Sequence, residues 1–380
     1  MTFIAAGGLS FETVYARPAP GGEDPAILDR LTRMIDDTPA GATIEATVFR
    51  LTVESVRDAL VAAADRGTVV RVIHNGRDVT SPVGASLSRE RPIGLGDGHR
   101  WSGVPFDPRR RMVDYGAVAT GHNADLHTKL FLFSVTKDPD GVLREKVSWW
   151  GSANLSHRSG MAKSNNAVVA YGDAVLYDAF RSQLWDLMWE GQHFPRNDFY
   201  HAGQGRGAFM GSPAARTKVF CSPEQDTDLW VGRLASVVVT PETEVAVAHA
   251  RFTDSRMAVA DELVRIAEQG GSVRVLVGAD AGFLGSTVRD TLLGAGIALR
   301  VGDIHDKLVL VRSRYGRSTA ARKVVFSGSH NLNHDANYVN DEILVKTFSD
   351  DLYDDMLTGH FEPIWAAGAA SPAPSGTLET

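Results

Sequence analysis

The fold of this chain is indicated by residues 27–76, which read ILDRLTRMI, TIEATVF, VESVRDALVAAADRG and TVVRVIHNG in succession. The third segment places Val56, Leu60 and Val61 at helical spacing and ends at a glycine suited to a helix C-cap. The flanking apolar runs are short and rich in Val and Ile, as in strands buried on both faces. The order predicts a helix, a strand, a helix and a strand.

Residues 229–278 repeat that order as LWVGRLASVV, EVAVAHARF, SRMAVADELVRIAEQGG and SVRVLVG. Arg71 and Arg274 hold equivalent places, so the two copies lie about 203 residues apart. A chain of 380 residues also exceeds the limit of about 250–300 residues for a single core. The repeat therefore predicts an α/β fold of two duplicated halves, each with a parallel or mixed sheet covered by helices.

The composition excludes several classes of protein. Hydrophobic residues make up 43% and charged residues 22% of the chain, which excludes a disordered or fibrous protein. No apolar run approaches the roughly 18 residues that cross a bilayer. The net charge of −7 argues against binding long nucleic acid by charge alone, although a local basic channel stays possible. The single cysteine, Cys221, excludes an internal disulfide and is predicted to be buried.

Two short motifs follow each copy of the repeat. HTKLFLF at 127–133 precedes GSAN at 151–154, and HDKLVLV at 305–311 precedes GSHN at 328–331. The chain has twelve His and eight Lys, so chance gives fewer than one His-x-Lys pair. Two pairs at nearly equal distances from Gly-Ser-x-Asn therefore indicate a shared role.

The residue types suit chemistry at phosphorus. Positions i and i+2 of a strand face the same way, so each His and Lys are predicted to share one face. Two facing halves would supply two imidazoles, two ammonium groups and two amides. One neutral imidazole can attack phosphorus to form a phosphohistidine while the other protonates the leaving alkoxide. The lysines and asparagines can hold the phosphate oxygens, so no metal or cofactor is required.

Across residues 25–365 the chain resembles the phospholipase D superfamily, whose motif is His-x-Lys-x4-Asp followed by Gly-Ser-x-Asn, twice per active site. The resemblance implies two phospholipase D-like halves, at 1–200 and 201–365, related by a pseudo-twofold axis with the active site in the cleft between them. It also implies metal-independent ping-pong chemistry, with His127 as nucleophile and His305 as acid. Residues 366–380 are predicted to be a disordered tail.

The chain departs from the family pattern at several positions. The motif aspartate is replaced by Ser134 in the first half and by Arg312 in the second. The family often orients the histidine with a carboxylate about a dozen residues after Gly-Ser-x-Asn, and Glu342 fits that place for His305. The matching stretch of the first half has Ala167, beside two asparagines.

The predicted site follows from these motifs. The predicted catalytic residues are His127, Lys129, Asn154, His305, Lys307, Asn331 and Glu342; Ser152, Ser329 and His330 are predicted to contact the substrate phosphate. His122 and Asp125 are an alternative pair of metal ligands, although no second cluster completes a shell. The run 107–111, DPRRR, is either a phosphate contact or a solvated loop. Of Trp149 and Trp150, at least one is predicted to be core and the other could line the cleft.

The leading functional hypothesis is a phosphodiesterase that hydrolyses or transfers a phospholipid or a related phosphodiester, with water or an alcohol as acceptor. One alternative is a nuclease or nucleic-acid end-processing enzyme of the same superfamily, and another is a non-catalytic phosphate-binding member. The expected protein is a monomer with no stable nucleic-acid partner and at most peripheral membrane contact. It is either cytoplasmic or secreted after removal of a signal peptide.

Overall fold

The computed structural model describes residues 2–6, 9–75, 83, 125–193, 208–210, 217–223 and 227–371. The elements of its first part, in chain order, are β1 (Thr2–Ala6), β2 (Leu9–Ala16), α1 (Ala26–Asp36), β3 (Thr43–Val48), α2 (Glu54–Asp65), β4 (Val69–His74), β5 (Leu130–Lys137), β6 (Leu143–Gly151), a π-helical turn (His157–Met161), β7 (Asn165–Tyr171) and α3 (Ala174–His193).

The elements of the second part are β8 (Ala208–Met210), β9 (Thr217–Ser222), α4 (Leu229–Leu234), β10 (Val237–Val238), β11 (Glu244–His249), a 3₁₀ turn (Asp254–Arg256), α5 (Met257–Glu268), β12 (Ser272–Gly278), α6 (Ser286–Gly294), β13 (Ala298–Gly302), β14 (Lys307–Tyr315), β15 (Ala321–Gly328), α7 (His334–Tyr338), β16 (Glu342–Phe348), α8 (Asp350–Met356), a π-helical turn (Leu357–Phe361), α9 (Glu362–Ala367) and β17 (Ala369–Ala370).

The two sheets confirm the duplication. Among the described residues, the first sheet has the order β1-β2-β7-β6-β5-β3-β4, and the second has β8-β9-β16-β15-β14-β11-β12 followed by β13 and β17. In each sheet the first five pairings of this shared path are antiparallel and the sixth, β3 with β4 or β11 with β12, is parallel. The predicted α/β fold of two equivalent halves is therefore correct.

The sheets face each other across a shared core. Leu132 and Trp150 of the first sheet belong to the same buried cluster as Leu310 and Ile343 of the second. The indole Nε1 of Trp150 donates to Oγ of Ser327 in the other sheet at 3.0 Å. Two further clusters lie beneath the outer helices, one under α1 and α2 and the other under α4, α5 and α6. The molecule is thus layered as helices, sheet, sheet and helices.

Two expectations about local structure need correction. His127, Lys129 and His305 precede the strands that they were predicted to belong to, because β5 begins at Leu130 and β14 at Lys307. The predicted tail also begins too early: α9 extends to Ala367, and β17 pairs with β13 through backbone hydrogen bonds that need no apolar side chains. Residues 372–380 lie outside the described residues.

Among the helices that the structure describes, none combines the length and the apolar character needed to cross a membrane.

Candidate active site

Each motif histidine is held by the backbone of the opposite half. The N–H of His127 donates to the carbonyl O of Asp341 at 2.9 Å, and the N–H of His305 donates to the carbonyl O of Ser164 at 2.8 Å. Parallel bridges beside these bonds join Leu126 to Asp341 and Ser164 to Ile304. The two histidines therefore enter the site in equivalent ways, each alongside the strand that follows the other half's Gly-Ser-x-Asn motif.

The carboxylate of Glu342 orients His127. The ring atom Nδ1 of His127 lies 2.7 Å from Oε1 and 2.9 Å from Oε2 of Glu342, and both side chains are buried. The prediction that Glu342 supports His305 is therefore wrong. Glu342 begins β16, and the bridge between Leu126 and Asp341 brings the start of this strand beside His127 of the other half.

An amide takes the same place beside His305. Its Nδ1 lies 3.0 Å from the carbonyl O of Ser152 and 3.2 Å from Oδ1 of Asn165. The Ser152 carbonyl is an acceptor and favours a proton on Nδ1. Nζ of Lys307 lies 2.9 Å from the same Nδ1 and 3.3 Å from Nε2, so this lysine also contacts the ring. Asn165 follows Asn154 by eleven residues, as Glu342 follows Asn331, so Asn165 and not Ala167 is the counterpart of Glu342. This equal spacing is the sequence signal that would have found Asn165.

The motif lysines lie beneath the histidines. Nζ of Lys129 donates to the carbonyl O of His127 at 2.5 Å, and Nζ of Lys307 donates to that of His305 at 2.6 Å. Burial lowers the pKa of Lys129 to about 7, against the attraction of Glu342 and Asp125. Burial and the neighbouring Lys129 hold the pKa of Lys307 well below its usual range. A bound phosphate would favour both ammonium forms by supplying the missing negative charge.

The same environment sets the charge of the histidines and of Glu342. Burial, and then the neighbouring lysines, hold the pKa of His127 well below its ordinary value. Burial and Lys307 act in the same direction on the pKa of His305. Burial raises the pKa of Glu342 to about 8, against the opposing effect of Lys129. In the empty site at neutral pH both imidazoles are therefore neutral and Glu342 is mainly protonated. Positive charge that develops on the ring of His127 would favour the carboxylate form of Glu342.

The side chains of the motif serines stabilise the turn that follows each motif strand. This corrects the prediction that they contact the substrate phosphate. Oγ of Ser152 accepts the N–H of Asn166 at 3.0 Å and donates to Oδ1 of Asn165 at 2.9 Å. Oγ of Ser329 accepts the N–H of Ile343 at 3.0 Å. Both serines are fully buried, so they fix the strand that carries the histidine's partner.

His330 is also placed differently from the prediction. It is fully buried in the second half, where Nε1 of Trp230 donates to its Nδ1 at 3.1 Å. Burial and Arg256 lower the pKa of His330 to about 3, so its ring is neutral. The alternation of side chains after β15 turns His330 into the core while Asn331 faces the cavity.

The motif residues meet in one cavity of about 1120 Å³. His127 and His305 line it together with Asn154 and Asn331. Nδ2 of Asn154 donates to Oγ of Ser159, whereas the buried Oδ1 atoms of both asparagines have no hydrogen-bond partner within the described part of the chain. The single site predicted from the two motifs is therefore present. Trp149 and Trp150 are both buried in the core and do not line this cavity.

The positions of the missing motif aspartates are structural. Oγ of Ser134 accepts the N–H of Thr43 at 2.8 Å, and Arg312 lies 3.3 Å from the carboxylate of Glu244. Thr43 and Glu244 begin equivalent strands, so both replacements tie the motif strand to its neighbour.

The alternative metal site is described only in part. Asp125 accepts a hydrogen bond from Nδ2 of Asn75 at 2.9 Å. Across the described ranges, no group of three or more His, Cys, Asp or Glu side chains could hold a metal ion. His122 and the basic run at 107–111 lie outside the described residues.

A buried pair that the sequence analysis missed supports the second motif. The carboxylate of Asp306 accepts hydrogen bonds from Nε2 of His360 at 2.8 Å and from Nδ2 of Asn166 at 2.6 Å. The ring of His360 stacks on Tyr15 at 4.6 Å between centroids. Asp306 stands between His305 and Lys307, so this pair fixes the second motif against the first half. No sequence signal pointed to His360, because it is distant in the chain and follows no motif.

The site can therefore perform nucleophilic and acid–base chemistry on one small anion. It offers two imidazoles that are neutral in the empty site, two lysines whose charge a bound anion would favour, and two asparagine side chains in the cavity wall.

Comparisons with known proteins agree with this architecture. The sequence matches the family described as "Cardiolipin synthase, PLD-like domain" over residues 31–188 and 239–365. The fold is similar to that of phosphatidylserine synthase from Haemophilus influenzae Rd KW20, with a TM-score of 0.61 and 11% identity over 98% of this chain and 90% of that one.

Two further solved structures match with lower TM-scores. Nuc, a phospholipase D family member from Salmonella typhimurium, matches with a TM-score of 0.34 and 20% identity over 41% of this chain and 98% of its own. Polyphosphate kinase from Porphyromonas gingivalis matches with a TM-score of 0.47 and 12% identity over 91% of this chain and 49% of its own. Among curated proteins, the comparison gave no match.

Proposed function

This chain belongs to the phospholipase D superfamily, through its cardiolipin synthase PLD-like domain, and on that basis we propose that it is a phosphodiesterase or phosphatidyltransferase. The reaction proceeds in two steps through a phosphohistidine on His127. The substrate is a phospholipid or a related phosphodiester, and the acceptor is water or an alcohol. The observation that carries the proposal is the pairing of His127 with Glu342 in the cavity that His305 shares.

The first step uses His127 as nucleophile. With its Nδ1–H donated to Glu342, its Nε2 keeps a free lone pair. Nε2 attacks phosphorus, the N–P bond forms, and the bond from phosphorus to the leaving oxygen breaks. As the N–P bond forms, positive charge develops on the ring, and the Glu342 carboxylate beside Nδ1 stabilises it.

His305 handles the proton of the leaving group. Its partners are the uncharged Ser152 carbonyl and the Asn165 amide, so its ring lacks the carboxylate that supports the nucleophile. A phosphate bound in the cavity would favour its imidazolium form, which then gives a proton to the departing alkoxide. The neutral ring left behind accepts a proton from water or an alcohol, whose oxygen attacks phosphorus and releases His127.

The lysines and asparagines stabilise the transferring group. Lys129 and Lys307 offset the negative charge that accumulates on the non-bridging oxygens. The amide groups of Asn154 and Asn331 face the same cavity and position the phosphorus between the two rings.

Trapping the intermediate tests the proposal. The full chain is mixed with bis-p-nitrophenyl phosphate, quenched within the first turnover and digested for mass spectrometry. We expect a p-nitrophenyl phosphoryl group, joined by an N–P bond, on the peptide that contains His127. Absence of any phosphohistidine while nitrophenol is released would overturn the covalent mechanism.

A further inference from the structure

Three cationic side chains converge on one aromatic ring of the second sheet. Lys218 of β9 and Lys346 of β16 are direct cross-strand partners, so their side chains share one face. Nζ of Lys218 lies 5.2 Å and Nζ of Lys346 5.9 Å from the ring centroid of Phe220. The guanidinium of Arg233, near the end of α4, lies 4.3 Å from the same centroid. This ring belongs to the core beneath α4, α5 and α6, so the three residues, called the basic cluster below, lie on the outer face of the sheet.

The lysines of the basic cluster lack the carboxylate partner that other lysines of the chain have. The chain has eight lysines, all of them described. Four of them bind a carboxylate oxygen at 2.5–2.8 Å, namely Lys137, Lys146, Lys163 and Lys323. Lys129 and Lys307 lie in the active site, where the proposed mechanism pairs them with the substrate phosphate. Lys218 and Lys346 remain, and no Asp or Glu among the described residues lies within ion-pair distance of them or of Arg233.

A contact with an aromatic ring does not replace the carboxylate elsewhere in this protein. Nζ of Lys323 lies 5.6 Å from the ring centroid of Tyr353 and also 2.6 Å from the carboxylate of Asp354. Nζ of Lys346 instead lies 4.9–5.9 Å from three ring centroids, those of Phe348, Tyr315 and Phe220. Its environment therefore supplies aromatic faces and two further cations, but no counter-charge.

The basic cluster is electrostatically unfavourable when it is empty. Like charges at directly opposite positions of neighbouring strands destabilise a sheet. Burial, and then the charges of Arg233 and Lys218, lowers the pKa of Lys346 to about 8. All three residues are half-buried, so water screens their repulsion less than it screens fully exposed charges. A bound anion would turn this repulsion into attraction.

We propose that Lys218, Arg233 and Lys346 form a second anion site, which binds a phosphate group outside the catalytic cavity. The guanidinium can donate two parallel hydrogen bonds to phosphate oxygens, and each ammonium can donate one more. β16 begins at Glu342 beside His127, and Lys346 lies four residues farther along, which is about 13 Å at the rise of a strand. The ligand is a phosphate monoester or a phosphodiester headgroup, either in solution or on an anionic lipid surface. The site does not depend on the proposed function.

Lysine labelling tests the site residue by residue. The full chain is acetylated briefly at neutral pH, in inorganic phosphate or in chloride at equal ionic strength, and mass spectrometry measures the acetylated fraction of each lysine. We expect phosphate to slow labelling of Lys346 about tenfold, because each unit by which the anion raises its pKa lowers the free amine about tenfold. Lys218 should be protected as well, whereas Lys323, which already has a carboxylate, should not change. No slowing at Lys346, or equal slowing at Lys323, would overturn the proposal.

Substitutions show whether the three cations act together. Lys346→Gln is expected to remove the protection of Lys218 by phosphate, because the anion loses one of its three donors. Lys323→Gln is the matched control, since it also removes a lysine that contacts an aromatic ring, and it should keep the protection of Lys218. Lys346→Gln should not lower the Tm in chloride, because it removes repulsion between like charges. Full protection of Lys218 in this variant, or its loss in the control, would refute a shared site.

Two probes identify the source of the phosphate group. Glycerol 3-phosphate presents the group in solution, and phosphatidylcholine vesicles that contain phosphatidylglycerol present it on a surface. Protection of Lys346 by glycerol 3-phosphate, with equal vesicle flotation of the wild type and Lys346→Gln, assigns a soluble ligand. Flotation that requires phosphatidylglycerol, and that Lys346→Gln loses while Lys323→Gln keeps it, assigns an anionic lipid surface. Protection of Lys346 by neither probe would overturn the proposal.

The result is independent of catalysis, because neither labelling nor flotation involves turnover. Protection of Lys346 in a protein that forms no phosphohistidine would refute the proposed function alone. A phosphohistidine on His127 without protection of Lys346 would refute the second anion site alone.

Discussion

Glu342 and His127 form a buried pair, 2.7 Å apart at Oε1 and Nδ1, although they come from opposite halves of the chain. The equivalent histidine, His305, has an amide and a backbone carbonyl in the same place. The two imidazoles are thus equivalent in position and different in electrostatic support. In the proposed mechanism, this difference distinguishes the nucleophile from the acid.

The roles of the two histidines can be separated by substitution. His127→Ala is expected to abolish the phosphoenzyme, because no other described imidazole in the cavity has a carboxylate partner. His305→Ala should still form it from a nitrophenyl ester, whose leaving group needs little protonation. Quenched-flow mass spectrometry measures both, and a phosphoryl group on His305 would reverse the assignment.

The partners of the histidines should affect different steps. Glu342→Gln is expected to slow phosphoenzyme formation by about 10²-fold, because the positive charge on His127 loses its counter-charge. Asn165→Ala should instead make the rate more sensitive to the pKa of the leaving group, since it loosens His305. Rates measured for a series of substituted phenyl esters distinguish the two. If Glu342→Gln alone steepened that dependence, Glu342 would be acting on His305.

Turnover is expected to survive chelation. The ammonium groups of Lys129 and Lys307 supply the charge that a Lewis acid would otherwise provide. The rate of bis-p-nitrophenyl phosphate cleavage should be the same with and without EDTA. Loss of activity that added divalent metal restores would contradict the mechanism and would support His122 and Asp125 as ligands.

The pH dependence of kcat/KM should report the ionisation of Lys129. Its pKa is lowered by burial to about 7, so it is an ammonium below this pH and a neutral amine above it. With a nitrophenyl ester, which needs little acid catalysis, kcat/KM should fall about tenfold per pH unit above pH 7. Lys129→Arg keeps its charge over the whole range and should remove this decline. An unchanged profile in this variant would assign the decline to another group.

The contact between the sheets should contribute to stability. Ser327→Ala leaves the buried indole N–H of Trp150 without its acceptor, and should lower the free energy of unfolding by about 1–3 kcal/mol. Trp150→Phe removes the donor, so adding Ser327→Ala to it should cost much less. Urea unfolding of the two single variants and the double variant gives the coupling. Additive effects would show that the hydrogen bond contributes nothing.

Much of the architecture was predictable because it depends on local patterns repeated along the chain. The alternation of helix and strand, the duplication and the two motifs gave the α/β halves and a shared cavity. Cys221 is buried as predicted. These features follow from hydrophobic spacing and from residue types at fixed separations.

The partners across the cleft were not predictable in the same way. The spacing of Glu342 from Asn331 identifies a carboxylate near a histidine, but the histidine it reaches depends on which strands the backbone bridges join. His330 carries the right chemistry for a phosphate contact, and only the direction of its side chain places it in the core. Asp306 and His360 meet because α8, α9 and the turn between them fold back onto the first half.

The exchange of bridges at Leu126–Asp341 and Ser164–Ile304 has a consequence for how a duplicated enzyme can specialise. The residue that tunes each histidine is encoded in the opposite copy of the repeat. A change between amide and carboxylate at position 165 or 342 thus alters the reactivity of a histidine encoded far away in the gene, while the histidine of the changed copy stays as it was. Once such a change is fixed, the two copies depend on each other, because the loss, exchange or reversion of either copy disturbs the reactive histidine of the other.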